Sequence, residues 1–184
     1  MGRERRCVLK RELILLATVF LTTGVCVAQA PAAVAPGPAG EVQAAYHRVK
    51  PNLLKAAEKM PEADFQYKPT PDIRTFARIV NHVTEAQFHT CSALTGATFD
   101  PKSVPSDTAD KATVIAGLTA SFDLCDKAYG GLTDQTITEM LTLGKVKRSR
   151  IGLAWGNVSH DNEQYAELAT YLRLKGLVPP SAEK

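Results

Sequence analysis

The sequence predicts an all-α protein, a four-helix bundle, on three observations. Four stretches carry apolar residues three and four apart, the spacing of one buried face on a helix. Segments rich in proline and glycine separate those stretches. No stretch alternates apolar and polar residues for long enough to propose a sheet.

Residues 1–28 read as a secretion signal and not as part of the bundle. Arg3, Arg5, Arg6, Lys10 and Arg11 form a basic start, Leu13 to Val27 an apolar run, and cleavage is expected after Ala28. Removing five of 22 basic and two of 19 acidic residues leaves seventeen of each. The mature chain is then formally neutral, so nothing in its charge invites nucleic acid or an acidic membrane. No stable membrane insertion is expected after cleavage, and the expected location is periplasmic or secreted. Residues 29–40, mostly alanine, proline and glycine, read as a flexible linker, and 41–181 as the bundle.

The first helix is expected from Glu41, with Val42, Ala45, Tyr46, Val49, Leu53, Ala57 and Met60 on its buried side. Pro51 lacks a backbone donor, so a kink near Val49 or a fresh start at Pro51 is expected. After a loop from Pro61 to Pro69, Thr70-Pro71-Asp72 has the composition of a helix start. The stripe Ile73, Phe76, Val80, Val83 and Leu94 then runs to Gly96, with His82 at its edge and His89 two turns on. Pro101 and Pro105 mark a longer connection. The third helix is expected over Thr108–Tyr129, stopped by Gly130-Gly131. Leu132 to Arg148 reads as a short helix over Thr133–Leu141 followed by a basic turn.

The last helix is expected from Arg150 to Lys175, with Ile151, Ala154, Val158, Tyr165, Leu168 and Leu172 as its stripe. Arg173 and Lys175 suit its negative end, Gly176 a left-handed cap, and Pro179-Pro180 prevent resumption. His160 and Gln164, four apart, project from one side beside a polar row of Asn157, Gln164 and Glu167. Periodicity alone makes that row a solvated flank with a lone surface histidine. Asp161 and Glu163 could serve as acid or base but read as part of a solvated helix flank, Trp155 as core or interface, and His47 as a surface or rim histidine. Cys91 and Cys125 admit two readings, core thiols or a disulfide between the second and third helices. There is no Gly-rich phosphate loop and no nucleophile elbow, so nucleotide binding and serine hydrolysis have no support.

Several segments together resemble the DinB/YfiT-like superfamily of bacterial four-helix bundles. They are Phe65-Gln66-Tyr67-Lys68-Pro69-Thr70-Pro71 leading into Arg74-Thr75-Phe76, then Asn81-His82-Val83 and Cys91-Ser92. His160 to Tyr165 and the run from Tyr171 to Pro180 complete them. The resemblance implies up-down-down-up connections and a divalent metal, zinc or nickel, held by three histidines. One lies on the second helix and two, four apart, on the fourth. Related enzymes transfer low-molecular-weight thiols to electrophiles or isomerise thiol adducts.

Carried onto this sequence, His82 and His160 are two of the ligands, and Gln164 occupies the place of the third. An amide oxygen is a weaker donor to zinc or nickel than imidazole, so the third ligand is eroded. The expected activity is a metal-dependent transferase or hydrolase acting on a small molecule, with His82, His160 and Gln164 converging on one point. The alternative is a non-catalytic bundle with a small-molecule pocket or a protein-interaction role, a homodimer among its possible assemblies.

Overall fold

The computed structural model describes residues 37–143 and 145–183. The expected signal and most of the expected linker lie outside these. Four helices make the body: α1 (Pro38–Lys59), α2 (Phe76–Thr95), α3 (Lys111–Gly130) and α4 (Arg150–Leu174). A two-stranded ribbon, β1 (Met140–Leu143) and β2 (Val146–Ser149), precedes α4. α1 and α2 each pack on both α3 and α4. The enclosed core is aromatic and aliphatic, with Tyr46, Leu53, Phe76, Ile79, Leu118, Phe122, Leu168 and Leu172 fully buried. Tyr46 and Tyr129 stack with ring centroids 4.0 Å apart, tying α1 to α3.

α1 begins at Pro38, inside the span expected to be linker. The reason is tertiary: the Ala39 N–H donates to Asp134 Oδ1 at 2.8 Å, satisfying a donor that a helix start leaves free. The helix continues through Pro51, without the fresh start considered there. Buried Val49 and Leu53, on either side of the proline, hold the two halves against the same core.

α2 starts at Phe76 and not at Thr70-Pro71-Asp72. Thr75 is its cap, the hydroxyl accepting the Arg78 N–H at 3.1 Å. Upstream, the Phe76 N–H donates to the Tyr67 carbonyl at 3.0 Å, and Tyr171 holds the Arg74 carbonyl from α4. These bonds keep residues 70–74 out of a helix, and Ile73 is exposed instead of lying on the core stripe. The other end is as expected, Gly96 capping with φ of 77°. Arg150 donates to the free Leu94 carbonyl there at 2.8 Å.

α3 starts three residues later than expected, capped by Asp110, whose Oδ1 accepts from the Thr113 N–H at 2.7 Å. Turns over residues 134–138, leading into the ribbon at Met140, stand where a helix is expected over Thr133–Leu141. Its strands pair antiparallel, Met140 opposite Ser149 and Leu143 opposite Val146. Four residues are too few to show a period-two pattern, although Leu141 and Leu143 are half-buried while Met140 and Thr142 are exposed. Ser149 ends β2 and also caps α4, its hydroxyl accepting the Gly152 N–H at 3.2 Å.

Cys91 and Cys125 form a disulfide with Cα atoms 5.0 Å apart, so the reading as free thiols does not hold. Asn81, near the start of α2, reaches Pro105 and Asp107, just ahead of α3, so α2 and α3 run the same way. α4 runs against α2, since Leu94 meets Arg150 and His82 meets His160. Among the described residues no helix is long and apolar enough to cross a membrane.

Candidate functional site

The antiparallel pairing of α2 and α4 brings His82 and His160 together. Their Nε2 atoms stand 3.1 Å apart and the ring planes meet at 72°. Both rings border a cavity of about 580 Å³ whose wall also includes Asp72, Arg74, Gln164 and Tyr171. That volume suits a small molecule. The loop residues are there because α2 starts late. Glu163 and Glu167 add carboxylates to the wall.

Gln164 lines the same cavity as the two histidines. Its amide oxygen accepts from Arg74 Nη1 at 3.4 Å, a long hydrogen bond from a cation. His82 is held below the ordinary imidazole range, first by burial and then by the positive charge of Arg74, with His160 and Arg78 acting the same way. A low value favours the neutral ring that metals take as a ligand.

Asp161 is not on a solvated flank. It is fully buried, as are Gln87 and, nearly so, Asn157 and Gln164. Gln87 Nε2 and Asn157 Nδ2 donate to Asp161 Oδ2 at 3.4 and 3.2 Å. Asn157 also donates to the Tyr129 hydroxyl at 3.3 Å, which itself donates to the Ala154 carbonyl at 2.8 Å. Burial pushes the Asp161 carboxyl up, and the adjacent His160 pulls it back. A signal for its burial exists in the sequence. Position 161 continues the series Ala154, Val158, Tyr165, Leu168 and Leu172 at three-and-four spacing, so it lies on the buried stripe.

The other histidines, Glu85 and Trp155 lie elsewhere. His89 packs its ring on Phe99 with centroids 4.3 Å apart and borders a smaller cavity of about 280 Å³, shared with His160 and Arg148. Glu85 pairs with Arg78 at 3.6 Å. His47 is exposed, as expected, whereas Trp155 is also well exposed and not a core residue.

The donor set can be compared with what a metal needs. Two imidazole nitrogens about 2.0–2.1 Å from one tetrahedral zinc stand about 3.3 Å apart. The observed 3.1 Å fits a neighbouring pair on one ion. Among the described residues no group of three or more His, Cys, Asp or Glu gathers as a metal site. The Gln164 amide oxygen lies on this wall at the position expected for the third ligand, with the Glu163 carboxylate beside it.

A family model described as the DinB superfamily matches residues 45–168. Two solved structures share the fold. A DinB-like protein from Bacillus cereus superposes with a TM-score of 0.64 at 15% identity, over 77% of this chain and 95% of that one. A DinB-like protein from Bacillus subtilis gives 0.58 at 12% identity, over 74% of this chain and 92% of that one. No curated protein matches the sequence significantly.

Proposed function

Since the chain belongs to the DinB superfamily, we propose that it is an exported, metal-dependent enzyme acting on a small molecule in the cavity beside His82 and His160. The observation that carries this reading is the 3.1 Å approach of the two Nε2 atoms across α2 and α4. At that distance one neutral ring donates an N–H to the other, and the same approach brings both nitrogens within reach of a single ion.

His82 and His160 would hold a zinc or nickel ion through Nε2, with the Gln164 amide oxygen as a weak third donor. Bound there, such an ion lowers the pKa of a thiol or water ligand, which suits thiol transfer or hydrolysis. The chain's own residues have separate tasks. Arg74 takes the Gln164 oxygen when nothing else does, and offers a guanidinium to an anionic part of the ligand. Glu163 and Glu167 line the wall from α4, placed to accept a proton from the ligand. Tyr171 fixes the loop that carries Arg74.

The bundle is read as up-down-down-up. The common direction of α2 and α3 and the opposed direction of α4 support this, as does the stacking of Tyr46, early in α1, on Tyr129, at the end of α3. Export is supported by the basic and apolar start of the sequence and by the Cys91–Cys125 bridge, which an oxidising compartment maintains.

One observation favours a second reading, a ligand-binding bundle without catalysis: the third donor is an amide already bonded to Arg74. Zinc and nickel titration of untagged protein separates the two. The enzyme reading expects stoichiometric uptake that His82→Ala abolishes. A protein that takes up neither metal, yet is stabilised by a small molecule, supports the second.

A further inference from the structure

We propose that Asp161 is a positioning residue that accepts the Nδ1 proton of His160 and so turns the Nε2 lone pair toward His82. The inference rests on reading the two histidines as a metal-binding pair, and deepens it by assigning the tautomer.

The starting observation is a matched pair of orphan atoms. His160 Nδ1 is a buried nitrogen with no hydrogen-bond partner, and Asp161 Oδ1 is a buried oxygen with none. They stand 3.9 Å apart. A small rotation of either group closes that gap to an ordinary hydrogen bond. Pairing them satisfies both atoms at once, which no other arrangement of the two side chains does.

The direction of the bond follows from the far side of the carboxyl group. Oδ2 receives Gln87 Nε2 and Asn157 Nδ2, both amide nitrogens that can only donate. Two amide donors on one oxygen stabilise the ionised carboxyl and offset the cost of burying it, and on that ground the shared proton is assigned to the ring. Gln87 comes from α2, while Tyr129 of α3 braces Asn157. Asp161 is therefore held by side chains of α2 and α4, the latter braced from α3, in a place where an apolar side chain would be the simpler filling.

A histidine that only packs needs no carboxylate behind it. One that ligates a metal nearly always donates its other N–H to a carboxylate, carbonyl or water, which fixes the tautomer and raises the basicity of the ligating nitrogen. His82 lacks such a carboxylate partner among the described residues, so the orienting task falls on the α4 side of the pair.

Asp161→Asn tests this sharply. The Gln87 and Asn157 donors require the new side chain to place its oxygen on their side, leaving its NH₂ facing His160. A donor facing Nδ1 forces the ring proton onto Nε2. Ring-nitrogen NMR shifts of the metal-free, ¹⁵N-labelled protein read the tautomer directly. Wild type is expected to carry the His160 proton on Nδ1 and Asp161→Asn on Nε2, with zinc affinity falling about 10–100-fold in the variant.

A wild-type proton on Nε2, or the same tautomer in both proteins, overturns the proposal. Should the variant fail to fold by circular dichroism, the wild-type tautomer decides alone. Should neither protein bind zinc, the metal reading fails, while the change of tautomer still upholds or overturns the role of Asp161.

Discussion

The hydroxyl of Tyr171 donates to the carbonyl oxygen of Arg74 at 2.6 Å, joining α4 to the loop that walls the cavity. Both residues border that cavity, so this bond links the stability of the bundle to the shape of the site. Tyr171→Phe is expected to lower unfolding stability by about 1 kcal/mol, the usual net value of one hydrogen bond. Hydrogen exchange should also quicken in residues 69–75 but not in α3. Unchanged exchange in that loop would mean that the bond does not hold it.

The Cys91–Cys125 bridge closes a loop of 34 residues between α2 and α3. Constraining a loop of that length in the unfolded chain stabilises the fold by about 4 kcal/mol in the chain-entropy account. Denaturant unfolding with and without reductant should show a loss of that order. A thiol reagent should not label either cysteine in protein unfolded before reduction. Equal midpoints in the two conditions would remove the bridge from the stability of this fold.

α4 was legible in the sequence because its stripe, its basic last turn and the Gly176 stop all agree. The start of α2 was not. Thr70-Pro71-Asp72 has the right composition, but bonds from Tyr67 and Tyr171, distant in sequence, hold the segment in another conformation. The ribbon before α4 was hidden by the brevity of its strands. At the site, His82 and His160 could be named from a resemblance, whereas their 3.1 Å approach depends on the pairing of two helices. Asp161 was misplaced because an acid suggests solvent. Its burial is compensated by Gln87 on α2 and by Asn157, four residues earlier on α4 and braced by Tyr129 of α3, and the pattern of α4 alone encodes neither Gln87 nor Tyr129.

A pH dependence follows from Asp126 on α3. Burial alone would raise its carboxyl, but hydrogen bonds from Lys50 at 2.6 Å and Tyr46 at 2.7 Å outweigh that and hold it below the ordinary carboxylate range. A carboxyl with a depressed folded value stabilises the fold above its unfolded value, about 3.9, and loses that contribution as pH falls through the folded one. Partial exposure keeps the effect small. Asp126→Asn should therefore lower stability at neutral pH and flatten the decline below about pH 4. Parallel acid profiles for the two proteins would contradict this.

The central claim, that positions 82, 160 and 164 form one metal site, meets its most direct test in Gln164→His. The side chain at 164 already borders the cavity that His82 and His160 share, so a third imidazole there should need no refolding. Calorimetric titration with zinc or nickel should show at least about a tenfold gain in affinity, or about 1.4 kcal/mol. Adding His82→Ala should remove that gain, because it takes away the ligand on the opposite helix. Equal affinities in wild type, the single variant and the double variant would mean that these three positions do not share a metal.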